Sequence, residues 1–117
     1  MKTYLEMKEI DLLIDLLKEA AAVDRHPGAM PGARELCVKL IFDRSSGKMI
    51  GGEACGGITA GEIANIMAQA VAAGMTADEI AAAQVGTHPA LTASPLVYQV
   101  VNAGEEATVK FERLFRK

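Results

Sequence analysis

The pattern of apolar and polar positions changes period several times along the chain, and the clearest segment is in the middle. Residues 35–42 are rich in apolar and β-branched side chains, and residues 48–55 are again mainly apolar. Between them, residues 43–47 have the composition of a turn that ends in a glycine. The pattern predicts a β-hairpin, and Gly51 and Gly52 indicate a bulge or a close approach of another backbone.

Helical spacing begins after the glycine pair at 56–57. A capping box at 59–62 precedes apolar residues that recur on one helical face, and Gly74 is suited to end that helix. A second capping box at 76–79 predicts a short helix that continues to about residue 83. The segment therefore contains two successive helices.

The last third of the chain predicts a short strand and a long helix. Residues 84–87 are the strand candidate, and they lead into His88. Ser94, followed by a proline, is a suitable N-cap for a final helix that reaches about Phe115. Gly104 lies inside that helix, where glycine costs about 1 kcal/mol relative to alanine, so it indicates a bend or close packing.

The first 32 residues are read less directly. Apolar residues at helical spacing predict a helix within residues 3–22, but the alternation over 10–17 leaves open a buried strand there. Residues 23–32 contain two prolines and two glycines, which predicts an irregular surface segment.

The order of these elements contains no β-α-β alternation. It favours an α+β fold, with an antiparallel sheet that has helices on one face. A chain of 117 residues has the size of one domain with its own core.

Composition excludes several classes of protein. Half of the residues are apolar and 23% are charged, which is typical of a globular domain. The net charge of −3 provides no basic field for a nucleic-acid backbone, so we expect no nucleic-acid partner. No apolar run approaches the length of a membrane span, and the N-terminus lacks the pattern of a signal peptide, so we expect no membrane partner and a cytoplasmic location.

His88 is the first candidate for chemistry. The proline after it favours an extended backbone, so a rigid turn is expected to present the imidazole. The alternative is a histidine that is merely solvated in a turn.

Cys37 and Cys55 lie on the two predicted hairpin strands. Without a bulge their sulfur atoms lie on opposite faces, whereas a one-residue bulge at Gly47 places them opposite each other. Sequence leaves open whether they are two separate buried thiols or a redox pair. Their spacing predicts neither a zinc site nor a disulfide framework, and we expect no metal site.

The stretch 52–59 has the order of strand, glycine loop and helix that is found in phosphate-binding loops. Ile58 stands where such a loop requires its lysine, so nucleotide binding is not predicted. An anion at the helix N-terminus is left open.

Six segments occur together in an order that is typical of one family: 24–28, 38–43, 47–52, 60–62, 73–76 and 86–95. Through them, residues 23–117 resemble the C-terminal interface, or dimerisation, domain of the FAD-dependent pyridine nucleotide-disulfide oxidoreductases. The branch that contains NADH oxidases and coenzyme A-disulfide reductases is the most similar. The N-terminal helix, placed within 1–22, is left outside this resemblance.

The resemblance implies a homodimer in which the His88 loop reaches the flavin site of a partner, where His88 acts as an acid and base toward thiols. A glutamate orients the histidine in related reductases, and Ala93 stands at its position here. Tyr98 resembles a tyrosine on the substrate side of the coenzyme A-disulfide branch; a helix tyrosine that packs with its hydroxyl at the surface is the alternative.

FAD and NAD(P)H are the cofactors of the full-length family, but the family's nucleotide-binding domains and redox-active cysteine motif do not occur among these 117 residues. We therefore expect a dimerisation domain that binds no cofactor alone and is not redox-active alone. The alternatives are a small thiol redox protein that uses Cys37 and Cys55, and an adaptor that binds a full-length flavoprotein reductase.

Overall fold

The computed structural model describes residues 18–25 and 31–115. Three strands come first in the chain, and a 3₁₀ turn at Pro95–Val97 precedes the last helix. The strands are β1 (Lys18–Val23), β2 (Glu35–Phe42) and β3 (Met49–Cys55), and the helices are α1 (Ala60–Ala72), α2 (Ala77–Ala81) and α3 (Gln99–Phe115). None of these helices has the length and apolar character needed to cross a membrane.

The strands form one antiparallel sheet in the order β1-β2-β3. Alternate side chains of the central strand, β2, are buried, as expected for a strand with one face against the core. The buried face carries Leu36, Val38, Leu40 and Phe42, none of them more than 1% exposed. The side chains between them lie on the outer face.

The helices pack on that buried face, which confirms the predicted α+β class. Ile63 and Met67 of α1, Ile80 of α2, and Val100 and Ala103 of α3 join the strand residues in one apolar cluster. The rings of Phe42 and Phe111 meet edge to face, with centroids 6.2 Å apart. Tertiary burial thus stabilises even the short helix α2, which could not form alone.

Two glycines permit this close packing, as the sequence indicated. A Cβ at Gly52 would lie 2.9 Å from the Met67 Sδ atom, so α1 approaches β3 only because the side chain is absent. A Cβ at Gly104 would lie 2.7 Å from the Ile80 Cγ2 atom, so Gly104 marks close packing of α3 on α2.

The predicted N-terminal helix is wrong at residues 18–22, which belong to β1. This strand pairs with β2 along its whole length, from Lys18 opposite Leu40 to Val23 opposite Glu35. Alanine favours helices locally, but the central strand gains a full set of backbone hydrogen bonds from the pairing, and that gain outweighs the local preference. The rest of the predicted helix, and the alternative strand at 10–17, lie outside the described residues.

Three further predictions differ in detail. The strand candidate at 84–87 is irregular, and none of the three described strands pairs with it. The short helix ends at Ala81, and the last helix begins at Gln99 because Tyr98 has an extended backbone. The Gln99 Nε2 atom, which is buried, donates to the carbonyl oxygen of Ala22 at 3.2 Å and ties the start of α3 to β1.

The capping boxes are only partly realised. The carbonyl oxygen of Thr59 accepts a hydrogen bond from the amide of Ile63, but the Thr59 side chain does not cap α1. At α2, the Thr76 hydroxyl donates to the Asp78 carboxylate at 2.7 Å instead of accepting from the backbone. The boxes nevertheless mark the correct helix starts.

The hairpin has its bulge at Ile50, not at Gly47. Phe42 pairs with Met49 and Ile41 pairs with Gly51, so Ile50 is the additional residue. Gly47 instead supplies the positive φ of the turn, at 73°.

Candidate functional site

The loop after Thr87 is held closed by its own backbone. The carbonyl oxygen of His88 accepts hydrogen bonds from the amides of Leu91 at 3.1 Å and Thr92 at 3.0 Å. The Thr92 Oγ1 atom accepts from the His88 amide at 2.9 Å, and the Ser94 side chain caps the following 3₁₀ turn. The loop therefore keeps its shape through contacts among its own residues.

These contacts also orient the imidazole of His88, which is exposed. Its Nδ1 atom accepts a hydrogen bond from the amide of Ala90 at 3.1 Å, so in the neutral ring the proton is on Nε2. Ala93, five residues after His88, is buried and only 2% exposed. A backbone amide, that of Ala90, therefore fixes the ring.

Exposed apolar side chains follow the histidine closely along the chain. Leu91, Leu96 and Val97, which we call the loop patch, are 49%, 87% and 42% exposed. Apolar residues grouped on one loop favour a contact surface, because burying them against a partner removes them from water. Composition did not reveal this feature, since it depends on which side chains the loop leaves outside the core.

Tyr98 does not lie beside this patch on the surface. It occupies the break between the 3₁₀ turn and α3, and it is only 3% exposed. Its ring forms part of the wall of an apolar groove of about 550 Å³, which Ile66, Met75 and Val101 also line. Burial raises the pKa of Tyr98, so the phenol stays protonated at neutral pH. Tyr98 therefore packs inside the protein just before α3, not on the helix, and its role toward a substrate stays a prediction.

The glycine loop before α1 is occupied from within the protein. The carboxylate of Asp24, which is 3% exposed, accepts a hydrogen bond from the Arg34 amide at 2.7 Å through Oδ1. Its Oδ2 atom faces Gly57 so closely that a Cβ there would lie 2.6 Å away.

A buried negative charge beside this loop opposes the binding of a phosphate, so the residues here do not fit the pyrophosphate of a dinucleotide. The anion site left open by the sequence is therefore not supported. The sequence identified Asp24 only as part of a segment that is typical of the family. Its structural role could not be predicted, because it depends on contacts with Arg34 and Gly57, which lie further along the chain.

The hairpin brings Cys37 and Cys55 together. They are direct partners in the β2-β3 register, and both are thiols. Cys37 is half-buried and Cys55 is exposed. Among residues 18–25 and 31–115, no group of His, Cys, Asp and Glu side chains is arranged to hold a metal ion.

Comparison with known families identifies the fold. The family described as pyridine nucleotide-disulphide oxidoreductase, dimerisation domain, matches residues 6–96, which is most of the chain. The protein belongs to this family, and membership implies self-association. The match begins within residues 1–22, the segment that the sequence interpretation had left outside the family.

Solved structures agree. A NAD-dependent persulfide reductase from A. fulgidus is 27% identical with a TM-score of 0.72, over 85% of this chain and 18% of that one. Reduced CoADR-RHD from Bacillus anthracis is 21% identical with a TM-score of 0.73, over 88% and 19%. A water-forming NADH oxidase from Lactobacillus brevis is 19% identical with a TM-score of 0.65, over 96% and 24%.

The chain thus spans about a fifth of the length of these proteins, and over that part they share its fold. No curated protein matches the chain.

Proposed function

We propose that this chain is the dimerisation domain of an FAD-dependent, NAD(P)H-linked reductase and forms a homodimer through the surface that includes the loop patch. In that dimer the His88 loop of one protomer approaches a flavin site on its partner. The observation that carries the proposal is the closed His88 loop, which exposes an oriented imidazole and three apolar side chains in a chain of this family.

His88 would act there through its Nε2 atom. Because Nδ1 accepts from the Ala90 amide, the neutral ring presents its Nε2–H group as a hydrogen-bond donor toward a thiolate. To transfer a proton, the ring would have to release the Ala90 amide, so that Nδ1 carries a proton and Nε2 exchanges one with the thiol. FAD supplies the electron transfer when it is bound to a flavin domain, and His88 supplies only positioning and this proton transfer.

The dimer is tested by sedimentation equilibrium of the full chain up to tens of micromolar. Leu96→Asp places a charge at the most exposed side chain of the loop patch. We expect the dissociation constant of the dimer to rise about 30-fold or more, which corresponds to a hot spot of about 2 kcal/mol. Circular dichroism checks that the variant remains folded.

Val109→Asp is the matched control. Val109 is 46% exposed and lies ten residues into α3, about 15 Å along the helix from its start, so the variant makes the same kind of change at a distance from the loop patch. We expect its dimer constant to equal that of the unaltered chain. A chain that is strictly monomeric at tens of micromolar would contradict the dimer, and equal weakening by both variants would contradict the assigned surface.

The flavin part of the proposal is tested separately by titrating FAD with the full chain and following flavin fluorescence. We expect no stoichiometric complex, because the family's nucleotide-binding domains do not occur among these 117 residues and a buried carboxylate lies beside the one glycine loop that resembles a phosphate-binding loop in sequence. Tight binding of FAD by this chain alone would show that its flavin site is not supplied by a partner.

A further inference from the structure

The outer face of the sheet carries a pair of cysteines in a geometry that permits a disulfide. Cys37 on β2 and Cys55 on β3 are opposite each other in an antiparallel register. Directly opposed Cα atoms in such sheets are about 4.5 or 5.5 Å apart, depending on the hydrogen-bonding position. Both separations fall within the range of about 4.4–6.8 Å that disulfides span. The backbone therefore requires no large movement for the bond to form.

The two thiols differ in their access to solvent. Cys55 is exposed at the end of β3, whereas Cys37 is half-buried on the central strand. The next pair along the same face is an ion pair between the Lys39 Nζ and Glu53 Oε1 atoms at 3.4 Å, which holds opposite charges beside the cysteines. Because Cys55 is the more exposed thiol, we expect it to react first with a reagent from solution, and Cys37 to react afterwards with the product on Cys55.

We propose that Cys37 and Cys55 form a dithiol site that exchanges with low-molecular-weight disulfides of the glutathione type. The Cys55 sulfur, after losing its proton to solvent, attacks the small disulfide; a mixed disulfide forms and one small thiolate leaves. The Cys37 sulfur, also deprotonated, then attacks the Cys55 sulfur and displaces the second small thiolate. The two cysteines are oxidised to one disulfide, the small disulfide is reduced to two thiols, and both thiolates take up protons.

The site is independent of the proposed dimer and flavin functions. It lies on the face of the sheet opposite the helices, and it joins two strands that the hairpin already connects. The oxidised form restricts the unfolded chain more than the reduced form does, so we expect a higher midpoint of thermal unfolding after oxidation.

The test equilibrates the full native chain with defined ratios of oxidised and reduced glutathione, quenches with acid and an alkylating reagent, and maps the peptides by mass spectrometry. We expect the loss of both thiols together and one peptide pair joined through Cys37 and Cys55. Cys37→Ser should accumulate the glutathione adduct on Cys55, whereas Cys55→Ser should react more slowly at its half-buried thiol.

The double variant Glu53→Cys/Cys55→Ser is the matched control. It keeps two thiols on the same strands and the same outer face, but moves one of them to the position opposite Lys39. Diagonal neighbours are about 7–8 Å apart, so we expect this variant to form adducts without an internal disulfide. If the control variant formed an internal disulfide as readily as the unaltered chain, the register would not be the cause of the pairing. If the unaltered chain gave only glutathione adducts or cross-linked dimers, the proposed dithiol site would be wrong.

Discussion

Two loops of this molecule lead into helices, and they use their backbones in opposite ways. The loop at Gly56 and Gly57 closes inward around the buried carboxylate of Asp24 and the carbonyl group of Glu35. The loop at His88 closes on itself and exposes its imidazole and the loop patch. The glycine loop resembles a phosphate-binding loop in sequence, but it packs against other parts of the protein. The His88 loop has the features of a contact surface.

The difference lies in the reach of the contacts. The glycine loop contacts Asp24, which follows β1, and Glu35 of β2, so a change there affects the end of the sheet. The His88 loop is held mainly by hydrogen bonds within residues 88–94, so its surface can change at little cost to the core. We therefore expect stability to depend on the first loop and association on the second.

The largest expected effect tests the inward loop. Gly56 has a φ of 81°, and a Cβ there would overlap the carbonyl oxygen of Glu35. We expect Gly56→Ala to lower the free energy of unfolding by about 3 kcal/mol or more, because conformational strain and a backbone clash add. Urea denaturation followed by circular dichroism measures it.

Gly47→Ala provides the comparison for that variant. Gly47 has a φ of 73° but no neighbouring atom within 4 Å of an added Cβ, so only the strain of about 1 kcal/mol applies. Equal losses in the two variants would contradict the close packing of Gly56 on β2.

The next effect concerns the carboxylate that occupies the inward loop. Asp24→Ala removes the acceptor of the Arg34 amide and leaves space beside Gly57, so we expect a loss of about 2 kcal/mol in the free energy of unfolding. Asp78→Ala, at an exposed carboxylate, should cost clearly less. If Asp24→Ala leaves stability unchanged but weakens the dimer, the contrast between the two loops is wrong.

The smallest expected effect concerns the hydrogen bonds that hold the His88 loop. Thr92→Val removes the hydroxyl that accepts from the His88 amide, and we expect about 1 kcal/mol of lost stability, since solvent can replace that bond. In the Thr92→Val variant the neutral ring of His88 should still have no proton on Nδ1, because the Ala90 amide donates its hydrogen bond to that atom. The ¹⁵N chemical shifts of the imidazole report which nitrogen carries the proton.

Thr108→Val is the control for that variant. Its hydroxyl donates to the carbonyl oxygen of Gly104 within α3, away from the His88 loop. We expect the NMR signals of His88 to stay in place, and the dimer constant to be unaffected. A proton found on Nδ1 in the unaltered chain would contradict the orientation that the structure gives the ring.

Local sequence predicted the elements whose cause is local. The period-two run over Glu35–Phe42 and the helix that ends just before Gly74 are found where expected, since burial of one face follows from side-chain spacing. The same local reasoning failed at residues 18–22, where pairing with β2 decided the structure. It also failed at residues 84–87, which pair with none of the three described strands.

Of the candidate site residues, sequence identified His88, Cys37 and Cys55, but not their relationships. It could not decide whether the hairpin contains an extra residue, which the structure places at Ile50, and the presence of that residue decides whether the thiols meet. It also could not show that an amide orients His88, or that Asp24 occupies the glycine loop.

By itself, the sequence determined the α+β class, the hairpin, the helical segments after residue 59 and the family, because spacing, turn residues and the order of segments are properties of the chain. The tertiary structure alone decided which strand joins β2, which cysteines face each other and which loop turns its apolar residues outward. Those outcomes depend on contacts between distant residues, whose free energies are settled only when the sheet and helices pack together.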